Sequence, residues 1–150
     1  METYSSKQTS WFLWLIVVFG VAGIVSLQLA DIPKDEMIRS SILIGVFSIL
    51  IFLLFFKLES KVFEDRVEIK FGIGLIKKTI DLKSVEELHK VTNKFWYGWG
   101  IRFTPHGWLW NISGYEAVQF KIKGQQRGFR LGCRNHEEMY QAIKTQLDKL

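Results

Sequence analysis

A chain of 150 residues with 48% apolar residues, 23% charged residues and a net charge of +5 has the averages of a basic globular domain. The averages hide a division: residues 11–30 hold 16 apolar residues in 20 and no charge, 37–56 hold 15 in 20 with Arg39 the only charge, and 57–150 hold 38 in 94. Two such blocks argue against a freely soluble single domain or a disordered tail. A single cysteine, Cys133, excludes an internal disulfide.

The N-terminal flank, 1–10, reads as a short cytoplasmic segment. Each apolar block has about the 20 residues that span the hydrocarbon of a bilayer as a helix. Trp11 and Trp14 open the first block, where indoles favour the membrane interface. Arg39 stands at the edge of the second, within reach of headgroups. Between the blocks, Asp31-Ile32-Pro33-Lys34-Asp35-Glu36 is polar and contains a proline, so a tight turn is expected. The predicted unit is a transmembrane helical hairpin over 11–56, with helices at about 11–30 and 37–56. A cleaved signal peptide is the alternative for the first block, but Lys7 makes a weak basic flank and Gln28 a poor cleavage context before Ala30. Lysines and arginines gather after the second block, beginning with Lys57, Lys61 and Arg66, which places the N-terminus and the C-terminal domain in the cytoplasm. The expected location is therefore the inner, cytoplasmic membrane, as a multi-pass protein. No ionisable residue lies mid-block, which argues against a transporter or channel.

From Lys57 onward short alternating runs predict strands. Val62 and Phe63, then Val67, Ile69 and Phe71, flank a Glu64-Asp65-Arg66 turn. Ile76, Ile80 and Leu82 suggest a third strand. Ser84-Val85-Glu86-Glu87 has the order of a helix capping box, so a helical turn is expected there. Further alternation runs through Trp99–Phe103, Trp108–Ile112, Val118–Ile122 and Phe129–Cys133. The period then changes to 3.6: Asn135 fits an N-cap, and Met139, Tyr140, Ile143 and Leu147 form one apolar face. The fold class expected is α+β: the membrane hairpin, then a small antiparallel β-barrel of about seven strands over 57–150, closed by a C-terminal helix.

Tyr97-Gly98-Trp99-Gly100-Ile101-Arg102, Trp108-Leu109-Trp110-Asn111-Ile112-Ser113-Gly114, Ala117-Val118 and Phe129-Arg130-Leu131-Gly132 occur in the order found in bacterial pleckstrin-homology-like (PH-like) domains of small membrane proteins. The chain resembles that family over roughly 58–147. The resemblance implies a PH-like barrel behind paired membrane helices, and no particular task. PH domains that bind phosphoinositides carry lysine and arginine in the first strand–turn–strand. Here that turn is Glu64-Asp65-Arg66, which would repel a phosphate, so no lipid-ligand residues carry over.

Two sets of residues are candidates for binding. Alternation assigns Trp99, Phe103, Trp108 and Trp110 to the barrel core, with a membrane-dipping rim as the alternative. Trp96 and Tyr97 fall outside the alternation and are candidate partner contacts. Arg102, Lys121, Lys123, Arg130 and Arg134 fall on polar strand positions and are candidates to face anionic lipid, with a solvated sheet face as the bland alternative. The domain carries 17 Lys+Arg against 11 Asp+Glu, and the first 56 residues 3 against 4. That excess without a motif gives no reason to expect nucleic acid. His89, His106 and His136 lack ligand spacing, Cys133 reads as core, and no paired carboxylates or nucleophile–base set is present; neither metal, cofactor nor catalysis is expected. The sequence therefore predicts a non-enzymatic module, anchored in the bilayer, that binds a protein partner or its own copies. Sensing of anionic lipid or envelope stress is the alternative.

Overall fold

A computed structural model describes residues 1–150. The architecture is α+β, with three α-helices, two β-sheets and a helix at the C-terminus. Strand β1 (Glu2–Thr9) leads into α1 (Leu13–Leu29); α2 (Lys34–Phe55) leads into β2 (Lys57–Phe63), β3 (Arg66–Phe71) and β4 (Ile76–Asp81). After a 3₁₀ turn at Leu82–Ser84 come β5 (Val85–Thr92), β6 (Gly100–Thr104), β7 (Gly107–Asn111), β8 (Glu116–Ile122), β9 (Gly128–Gly132) and α3 (His136–Leu147).

The helices α1 and α2 run antiparallel, with Gly20 facing Ser48, Gly23 facing Ile44 and Trp14 edge-on to Phe52 at 6.4 Å. Only α2, with 22 residues, is long and apolar enough to cross a membrane; α1 has 17. The second helix begins at Lys34, earlier than its apolar block. Asp35 and Glu36 occupy its first turn, where the helix dipole favours negative charge, so the polar segment expected as loop is partly helix.

Residues 1–10 are not a separate tail. Strand β1 pairs antiparallel with β2, from Glu2 opposite Phe63 to Thr9 opposite Lys57. Its inward positions are Tyr4, Ser6 and Gln8, only one of them an apolar ring, so no period-two signal marks the strand. Both helices thus continue almost directly into adjacent, paired strands. Ser10 N–H donates to Phe56 O at 3.2 Å, and a single residue, Phe56, separates α2 from β2.

The strands number nine and form two sheets that do not close into a barrel. The sheet orders are β1-β2-β3-β4 and β5-β8-β9-β7-β6. One pair is parallel, β7 with β9, which corrects the all-antiparallel expectation. Glycine explains how these two strands meet: Gly107 lies opposite Gly128 with φ of 113°, and a Cβ there would strike the Gly128 carbonyl.

The core lies between the sheets: Leu58, Val62, Val67, Ile69, Phe71, Val118, Phe120, Phe129 and Leu131, completed by Met139 and Ile143 from α3. Helix α3 packs on both sheets and covers the side bounded by β1 and β5. Asn135 caps it, its side chain accepting from the Glu137 and Glu138 amides. The opposite side, between the free edges of β4 and β6, stays open. Phe103 and Trp108 point there and remain 57% and 50% exposed, so the core assignment fails for them; Trp99 and Trp110 are half-buried. The Ser84–Glu87 capping box is not used either. Asp81 caps the preceding 3₁₀ turn, and β5 starts at Val85 with a bulge before Glu87.

Candidate functional site: the outer face of the five-stranded sheet

Residues paired across neighbouring strands project to the same face. The register therefore lines up His89 (β5), Gln119 (β8), Arg130 (β9), Leu109 (β7) and Arg102 (β6) in one row on the side of the sheet away from the core. The segment 93–99, between β5 and β6, borders this face and carries the aromatic residues. It contains one 3₁₀ turn, Phe95–Tyr97, and ends at Gly98 with φ of 65°.

The turn divides its three aromatics. Phe95 and Trp96 are each 73% exposed, while Tyr97 is half-buried with its ring 6.4 Å from that of His106. Lys94 lies over the Trp96 ring at 5.2 Å, and Phe95 neighbours Tyr115 at 6.5 Å. Adjacent large rings exposed on a short turn have the composition of a binding hot spot.

The five basic candidates do not form one patch. Lys121 shares the outer face with Arg102 and Arg130 but is engaged by Glu87 at 2.7 Å and Glu86 at 4.0 Å. Lys123 lies past the end of β8 and is exposed. Arg134 follows β9 and lines a polar cavity of about 450 Å³ with Lys7, Gln8 and Glu116. Arg102 is exposed, its Nε donating to Trp99 O at 3.1 Å. Arg130 alone is buried, at 7% exposure. Alternation placed it on the outer face but not under cover. Its hydrogen-bond partners Gln119 and Asn93 carry no signal in the sequence.

A second surface surrounds the helix base. Trp99 stacks on Phe12 at 5.4 Å and meets Trp11 edge-on at 6.2 Å, while its Nε1 donates to Gly114 O at 3.2 Å. On the other side, the β3–β4 turn rests against the end of α2: Ile73 N–H donates to Leu53 O at 3.1 Å. Ile73 and Leu75 project from this turn and are exposed. These apolar side chains lie level with the last turns of α2.

Cys133 is buried in the core, and burial pushes its thiol up to about 12. The thiolate is the reactive form, so iodoacetamide at pH 8 is expected to leave native Cys133 unmodified and to label it fully in denaturant. Rapid labelling of the native protein would contradict this burial. The three histidines lie on different elements, and no three His, Cys, Asp or Glu side chains converge.

No protein-family model matches the sequence, and no curated protein matches it.

Proposed function

We propose that this protein is a membrane-anchored, non-enzymatic binding module, in which a PH-like domain is held at the cytoplasmic face of the membrane by the α1–α2 pair. The observation that carries this reading is the turn Phe95–Tyr97, where two large aromatic side chains stand exposed between β5 and β6. The continuity of the helices with paired strands supports the anchoring, because it fixes the domain's distance from the bilayer and its orientation. The task is capture of a protein partner, or of a second copy, through this turn.

Trp96→Ala tests the reading. A photo-crosslinker placed at Phe95 in the full chain in native membranes is expected to yield a discrete adduct, with a partner or a second copy. Trp96→Ala is expected to weaken that association by roughly thirtyfold, the usual effect of truncating a tryptophan hot spot. An adduct pattern unchanged by Trp96→Ala would overturn it. The sensor reading draws on Ile73, Leu75 and Arg102 near the helix base. It requires the domain's contact with anionic lipid to fall with salt.

A further inference from the structure

Arg130 is the one charged side chain in the core or under cover of this domain, and its surroundings are short of acceptors. Its Nε donates to Gln119 Oε1 at 2.8 Å and its Nη1 to Asn93 Oδ1 at 3.3 Å. Both acceptors are neutral, and no carboxylate accompanies the guanidinium. Its Nη2 has no protein acceptor, and it is not among the sealed polar atoms of the domain. Asn93 adds a second unsatisfied donor, since its buried Nδ2 has no partner. Two further positive or protonatable groups, Lys94 and His106, act on the same spot. Arg130 first, then burial and Lys94, hold His106 below the ordinary histidine range.

A buried guanidinium without a counter-charge costs folding free energy, and buried charges in proteins are ordinarily paired. By contrast Lys61, Arg66, Lys90 and Lys121 have carboxylate partners although they are far more exposed. A covered arginine with no counter-charge and with an orphaned amide beside it is the arrangement of a receptor for an anion.

We propose that Arg130, with Asn93, His106 and Lys94, forms a binding site for a single oxyanion, the carboxylate or phosphate group of a ligand. Arg130 supplies the charge-assisted hydrogen bonds through its free Nη2, Asn93 Oδ1 holds Nη1 in place, and His106 and Lys94 stand at the rim. The site adjoins the Trp96 turn through Lys94, which lies over the Trp96 ring, while Arg130 belongs to the oxyanion site alone and tests it apart from any partner held by that turn.

The test uses the purified full chain in nanodiscs of neutral phosphatidylcholine, titrated with inorganic phosphate or acetate at constant ionic strength with chloride. In a second arm, nanodiscs containing phosphatidylglycerol present the same chemistry as a headgroup. The wild-type melting temperature is expected to rise saturably with one of these anions, and the His106 titration followed by NMR to move upward on binding. Arg130→Met keeps the volume and removes the charge. It is expected to melt higher than wild type without anion and to lose the response at least tenfold. Lys94→Gln with His106→Gln, both at exposed positions, is expected to weaken binding several-fold, which keeps the test sound if Arg130→Met fails to fold. Lys123→Gln removes an equal charge away from the site and is expected to retain the full response. A response confined to phosphatidylglycerol assigns the headgroup as the source. No response in either arm, or one equal in Arg130→Met, would show that Arg130 is only structural.

Discussion

Phe71→Ala is expected to destabilise the domain by about 3–5 kcal/mol, the range for removing a fully buried phenylalanine. Phe71 is enclosed where three parts of the fold meet. Its ring contacts Phe55 at the end of α2 at 5.5 Å and Trp110 on the opposite sheet at 5.4 Å, and Trp110 leads on to Phe129 at 5.7 Å. The next residue, Gly72, has φ of 51° and lies against the backbone of Leu53 and Leu54, so the β3–β4 turn is held close to the end of α2. Truncation therefore leaves a cavity and also loosens the domain from the helix. Near-ultraviolet circular dichroism during thermal unfolding in micelles reads the first effect. Hydrogen exchange at the Ile73 amide, which donates to Leu53 O, reads the second. Phe103→Ala is the contrast, because that ring is more than half exposed and its loss is expected to cost under about 1 kcal/mol. Equal costs for the two would contradict the open side between β4 and β6.

The contrast also marks which parts of the fold the sequence carries. Alternation reports which way a side chain points, and it does so correctly for Phe103 and Trp108. It does not report whether another sheet lies opposite. Those rings face inward along β6 and β7, but the four-stranded sheet ends at β4 and leaves them uncovered. Local signals served well where the cause is local. Asn135 accepts the amides of the first turn of α3, Met139 and Ile143 are buried at helical spacing, and Cys133 is core. Strand order is not local. The β8–β9 hairpin lies so that β9, not β8, neighbours β7, and only close backbone approach at Gly107 and Gly128 permits it. Arg130 has the same character. Its position on a polar face was legible, while its burial depends on Gln119 from β8 and Asn93 from the segment after β5.

Deletion of residues 2–9 is expected to have the second large effect, several kcal/mol, a substantial part of a small domain's total stability. A disordered cytoplasmic tail would give a change within about 0.5 kcal/mol. The difference follows from what β1 covers. Tyr4 packs against the core, Thr3 Oγ1 donates to Val62 O at 3.0 Å, and Glu2 meets Lys61 at 2.7 Å. Helix α3 also rests partly on β1. Without β1, β2 becomes the edge of its sheet while still joined to α2. Hydrogen exchange separates the outcomes residue by residue: β2 amides directed at β1 lose protection, and those directed at β3 keep it as long as the remaining sheet stands. The exposed β2 edge would also be available for pairing with a second copy of the chain. The truncated protein is therefore expected to form crosslinked dimers through β2 that the full-length chain does not form there. A truncation that left both the melting temperature and β2 protection unchanged would mean that β1 contributes nothing to the sheet.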